Sequence, residues 1–211
     1  FLPSALELAD AFTLEATWKR TGSDIFKDSK AHLILEMDGQ EESVRGEISK
    51  IEKMIRTLEC RSMEIAHGEE KCERIWNVRR EFSYALKDTG LKKLNHDIVI
   101  PRGRLVDFFF FTDQLQKRFG IPIACFGHAG DGNIHTNVMV DENKPEQLAS
   151  GHEMTDLIFK QVLEWGGKIT GEHGIGLAKL RWWNQGTSKE ERELHSLIKK
   201  ALDPHGIMNP G

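Results

Sequence analysis

No apolar run in this chain approaches the length needed to span a bilayer, and no basic segment opens it, so neither a membrane span nor a signal peptide is expected. Positive charge is not in excess either. The 29 Lys and Arg are outnumbered by 33 Asp and Glu, for a formal net charge of −4, which supplies no field for nucleic acid. Cysteine is scarce and unpatterned: Cys60, Cys72 and Cys125 are widely spaced and form no CxxC pair, which leads us to expect reduced thiols in a cytoplasmic protein. Cys125, inside the apolar run "IPIACFG", reads as a core residue. The first residue is Phe rather than Met, from which a fragment or a cleaved form is expected. What is present fits a soluble globular protein: 211 residues, 39% of them hydrophobic and 29% charged, enough for one domain with a sizeable core.

Apolar spacing divides the chain into elements. Leu6, Leu8, Ala11, Phe12 and Leu14 suit a helix running to about Trp18, followed by the polar loop "RTGSDIFKDSK". "AHLILEMDG" reads as a strand and "EESVRGEISKIEKMIRTL" as an amphipathic helix, with a short strand expected near "ECRSMEIA". "EEKCERIWNVRREFSYALK" puts Ile75, Val78, Phe82 and Leu86 on one helical face. A strand "NHDIVIPR" stopped by Pro101 and a helix "LVDFFFFTDQLQKRFG" closed by Gly120 come next, with Phe108–Phe111 assigned to packing. "IPIACFGH" and "NIHTNVMV" flank "AGDGN", a strong hairpin signal. Residues 145–165 form a helix, "KIT" a brief strand, "GEHGIGLAKL" a turn opening a helix, and 188–202 the last helix. Strands alternating with helices around a tight hairpin exclude an all-parallel sheet. They predict an α+β fold, an antiparallel sheet with helices packed on one face, compatible with duplicated β-α-β units of ferredoxin-like type.

Chemistry concentrates in two Gly-rich stretches. In "GHAGDGNIHTNV", His128 and His135 flank the turn on neighbouring strands, so both imidazoles can converge on one point; capping of backbone groups in a polar turn is the alternative. "ITGEHGIG" then supplies Glu172 and His173. Two His and one Glu form a three-ligand set with an open position, as catalytic divalent metals use. Glu172 could instead cap a helix. His173 is left free as a general base suited to neutral pH. The glycine spacing is not the dinucleotide-binding fingerprint, because the following acidic residue and the βαβ context are missing.

Together "GHAGDGNIHTNV", "TGEHGIG" and the closing "ALDPHGIMNPG" resemble the C-terminal domain of FAD-linked oxidases of the vanillyl-alcohol oxidase superfamily. The closest branch holds D-lactate dehydrogenase, the glycolate oxidase flavin subunit and D-2-hydroxyglutarate dehydrogenase. The resemblance covers essentially residues 1–211 and implies a cap and substrate domain, with FAD bound mainly by an N-terminal domain absent from this chain. It implies that His128, His135 and Glu172 are ligands of a divalent metal (Zn, Mn or Fe), and that His173 takes the proton of the substrate hydroxyl. It further implies that Arg79 grips the substrate carboxylate beside Ser83, that Asn137 contacts substrate, and that Asn209 lies in a tail returning toward the flavin. Arg79 could also be a solvated helix charge, with Arg80 a competitor for the role, and Asn209 could be part of a structural turn. Some members carry a substrate lysine where this chain has Asn95-His96-Asp97, with Lys92 and Lys93 slightly earlier; this departure leaves the exact acid open.

The implied activity is oxidation of a D-2-hydroxy acid to the 2-oxo acid by hydride transfer to flavin. An electron-acceptor protein or quinone would reoxidise the flavin, and a homodimer is left open. Two alternatives stand beside it: a metal-free alcohol oxidase of the same fold, and a stand-alone metal- or carboxylate-binding module.

Overall fold

The computed structural model describes residues 2–210. Its strands are β1 (Ala5–Asp10), β2 (Ala31–Glu36), β3 (Lys92–Val99), β4 (Ile123–His128) and β5 (Asn133–Val140). The helices are α1 (Ala11–Thr21), α2 (Glu41–Ile55), α3 (Glu69–Asp88), α4 (Leu105–Phe119), α5 (Pro145–Glu164), the short α6 (Trp183–Gly186) and α7 (Lys189–Leu202). The strands form one antiparallel sheet in the order β2-β1-β4-β5-β3, so the architecture is α+β as expected. Strand–helix–strand units occur twice, as β1-α1-β2 and β3-α4-β4; in the second, β5 separates the two strands.

The helices cover both faces of the sheet rather than one. Alternation along β4 and β5 explains why. Ile123, Cys125, Ile134 and Val138 face α4 and α5, where Phe108, Leu115, Met154 and Phe159 complete one core. Ala124, Phe126 and Met139 face the other way and meet Leu14, Phe82 and Leu86 of α1 and α3 in a second core. Strands apolar on both sides belong to a sheet buried on both sides.

Other departures from the sequence reading have local causes. Residues 5–10 are a strand, not the start of a helix, because β1 is paired on both edges by β2 and β4. The helix begins only at Ala11, where the Asp10 carboxylate accepts the Thr13 N–H at 2.9 Å as an N-cap. The same carboxylate accepts the Cys125 N–H at 2.7 Å, tying α1 to β4, and burial pushes its pKa up to about 6. No strand forms over residues 59–66, where the chain is mostly exposed and has no partner strand. The expected strand at "KIT" shrinks to a bridge between Lys168 and Val99, and the turn after it leads to a 3-10 segment at Leu180–Trp182 rather than a long helix. The aromatic run on α4 divides by side: Phe108 is buried, Phe109 and Phe111 pack at the margin of the core, and Phe110 is exposed.

The hairpin turn carries a strict constraint. Gly132 has φ +85°, and a Cβ there would lie 2.0 Å from the Ile100 carbonyl oxygen. Gly132→Ala is therefore expected to destabilise the protein by about 2–4 kcal/mol, from left-handed strain plus overpacking. A thermal melt reads this as a drop of several degrees; an unchanged midpoint would contradict the steric assignment.

Candidate metal and substrate site

The site lies on the α1/α3 face of the sheet, at the hairpin end. Register places its residues: Glu7 of β1 sits opposite His128, and His135 stands between Phe126 on one side and Asp97 on the other. All of these side chains therefore share one face. The turn at residues 171–173 brings Glu172 and His173 over them.

His128, His135 and Glu172 converge. Each offers a ligand atom, and those atoms all lie within 4.8 Å of one another. The His135 Nε2 is 3.5 Å and the His128 Nε2 is 3.9 Å from the same Glu172 oxygen. Donors about 2.0–2.2 Å from a common ion fall within that spread, so the set fits a divalent metal. The carboxylate of Glu7, nearly fully buried, pairs with His128 Nδ1. With Nδ1 engaged by Glu7, Nε2 is the ring nitrogen of His128 on the Glu172 side, the arrangement that second partners impose on ligating histidines. Burial lowers the pKa of His135, helped by the charges of Arg79 and His173, which keeps its imidazole neutral and able to bind a cation.

His173 joins the group from the side. Its ring stacks on His135 with centroids 5.2 Å apart and planes 19° from parallel. Its Nδ1 is 3.6 Å from an oxygen of Asp97, and its side chain is half exposed. Arg79 also reaches the site. Its Nε donates to Glu7 at 2.6 Å, and its guanidinium lies 4.8 Å from the centre of the Phe126 ring. Arg79 is thus held in place at the margin of the second core and is not a freely solvated helix charge. Its competitor Arg80 is exposed and paired with Glu73. Asn137 is buried on the same face of β5, with its amide donating to the Ala124 carbonyl at 3.2 Å.

Two expected residues stand apart from the cluster. Ser83 is exposed and accepts a hydrogen bond from Lys93 at 3.0 Å. Asn209 is exposed with φ 48° and takes part in no hydrogen bond among the described residues. Its tail folds back on the end of α7, where the Asp203 carboxylate accepts the N–H groups of Ile207 and Met208.

Four neighbours of the cluster lie outside the sequence reading. Glu7 falls in a stretch whose apolar spacing suggested a helix. Asn133 donates to Glu172 at 3.2 Å, and its own side-chain oxygen is buried without a partner. Asp97 and Lys179 form a buried ion pair beneath the 171–173 turn. The signal for Asp97 was present: a lone acid in the apolar alternation of "DIVI".

Known proteins resemble this chain over most or all of its length. The family described as FAD linked oxidases, C-terminal domain, matches residues 1–211. The glycolate oxidase subunit GlcD of Bacillus subtilis is 30% identical over 210 residues, covering 100% of this chain and 45% of that protein. A probable mitochondrial D-lactate dehydrogenase of Danio rerio is 32% identical over 183 residues, covering 85% of this chain and 36% of its own. Among solved structures, the 4-ethylphenol oxidase of Gulosibacter chungangensis, in complex with isoeugenol, has the same fold. Its TM-score is 0.57 at 18% identity, covering 97% of this chain and 46% of that one. The chain spans less than half the length of these relatives. No helix among the described residues is long and apolar enough to cross a membrane.

Proposed function

This chain belongs to the family of FAD-linked oxidase C-terminal domains, and from that membership we propose that it forms the substrate side of a flavoenzyme oxidising a D-2-hydroxy acid to the 2-oxo acid. Relatives named for glycolate and D-lactate support the substrate class. The observation that carries the reading is the convergence of His128, His135 and Glu172 on the sheet face that also holds His173 and Arg79.

In this reading His128, His135 and Glu172 hold a divalent cation. When bound, the cation would acidify and orient the substrate hydroxyl, and the flavin, carried mainly by the rest of the protein, would supply the hydride acceptor. The guanidinium of Arg79 grips the substrate carboxylate with the N–H groups that Glu7 does not occupy. Asn137 supports the same end of the substrate. The imidazole of His173 accepts the hydroxyl proton, with an Asp97 carboxylate oxygen 3.6 Å from its Nδ1. An acceptor protein or a quinone takes the electrons onward.

Titration of the purified protein with Zn2+ or Mn2+ tests the ligand set. Wild type is expected to bind the ion. Glu172→Ala or His135→Ala is expected to weaken binding by more than about tenfold, since even second partners of ligands are worth about 10–100-fold. Equal affinity in wild type and both variants would remove the metal from the reading and favour a metal-free oxidase of the same fold.

A further inference from the structure

We propose that Asp97, with Lys179 as its counter-charge, is the positioning residue that fixes Glu172 and His173 over the two hairpin histidines; this rests on the reading of the site given above. Asp97 is fully buried on β3, directly opposite His135 in the ladder. One of its oxygens accepts three consecutive backbone N–H groups, from Gly171 at 2.8 Å, Glu172 at 2.7 Å and His173 at 2.9 Å. The other accepts the Lys179 ammonium at 2.5 Å and lies 3.6 Å from His173 Nδ1. Lys179 is itself buried and also donates to the Asp97 carbonyl at 3.0 Å, so the pair is closed on both sides. The Thr170 hydroxyl adds a longer contact at 3.3 Å.

Beyond Asp97, the turn is held by the Thr170 hydroxyl on the Gly174 carbonyl and by Asn133 on Glu172. Residues 171–176 belong to no helix or strand, and Gly174 and Gly176 adopt left-handed φ angles. Three amides in a row directed at one point form an anion-binding nest, and here the anion is built into the strand below. Burial disfavours the Asp97 charge, but the Lys179 ammonium and the three amides outweigh it and hold the carboxyl well below the usual range. On the other side Gly171 packs against the Asn133 side chain, where a Cβ would sit 2.4 Å from its oxygen. The backbone bearing Glu172 and His173 is therefore clamped from β3 and β5 together. A buried ion pair is poor evidence for stability in itself, since an uncharged pair of similar size often serves as well. Its value here lies in where it places two side chains.

The test uses the full-length protein carrying D97N/K179M, which removes both charges together and avoids stranding a buried ammonium, and D97E, which keeps the charge but shifts the carboxylate by one methylene. Both are expected to unfold cooperatively, with faster amide exchange at residues 171–173. Zn2+ affinity should fall by about 10–100-fold, the usual scale for a group that orients ligands. The rate constant kcat should fall with it while KM for the 2-hydroxy acid moves far less, because Arg79 is anchored on Glu7 and Phe126 rather than on the turn. Folded variants with wild-type exchange, Zn2+ affinity and kcat would overturn the proposal. If wild type binds no Zn2+, the metal reading fails separately, and exchange at 171–173 alone decides: faster in the variants supports the clamp, equal rates overturn it.

Discussion

His173→Asn in the full-length protein is expected to slow flavin reduction by about 10²–10⁴-fold, the range for loss of a positioned general base. Asparagine keeps a polar group of similar reach, so the cavity stays filled and Asp97 keeps its amide partners, which come from the backbone. Only the proton acceptor is lost. The His173 ring lies against His135 and is half exposed, which suits a group that must meet a substrate from the open side. Stopped-flow measurement of flavin bleaching separates this from binding: substrate affinity should be nearly unchanged while the reduction rate falls. A variant reducing its flavin at the wild-type rate would assign the proton to another acceptor.

Arg79→Lys should cost less, and for a different reason. Arg79 is fixed by two contacts a lysine cannot reproduce together: its Nε bond to buried Glu7 and its place over the Phe126 ring, 4.8 Å from the centroid. The guanidinium N–H groups that Glu7 leaves free form the planar fork that matches a carboxylate with two parallel bonds. A hydrogen bond to a charged group contributes about 1.5–3 kcal/mol, so losing one of the two parallel bonds predicts a fall in kcat/KM of about 10–10²-fold. The loss should fall largely on KM. Steady-state kinetics with a 2-hydroxy acid and a dye acceptor measure it; an unchanged KM would move the carboxylate to a different cation.

The sequence was most legible where chemistry and turn signals coincide. His128 and His135 beside "AGDGN", and Glu172-His173 among glycines, could be placed on neighbouring elements, and the structure brings these four side chains together. Arg79 lay on a well-marked helix, but its hold on Glu7 spans 72 residues and no spacing rule could pair them. Asp97 and Lys179 are 82 residues apart, and they meet where the chain after the Lys168–Val99 bridge returns over β3. The first strand was misread because its apolar residues fit a helical stripe, and only pairing with β2 and β4 decides against that. Helices on both faces were equally hidden. The two-sided apolarity of β4 becomes decisive only when the strands on both its edges are known.

Glu7 sets the smallest portion of this protein that can work. The hairpin, the 171–173 turn and Asp97 all lie between residues 92 and 179, and an engineer transplanting the site would cut there. Yet the carboxylate that orients His128 and anchors Arg79 comes from the first strand of the sheet. A graft lacking that strand would carry every proposed ligand, with one imidazole free to turn its wrong nitrogen inward and no arginine anchored beside it.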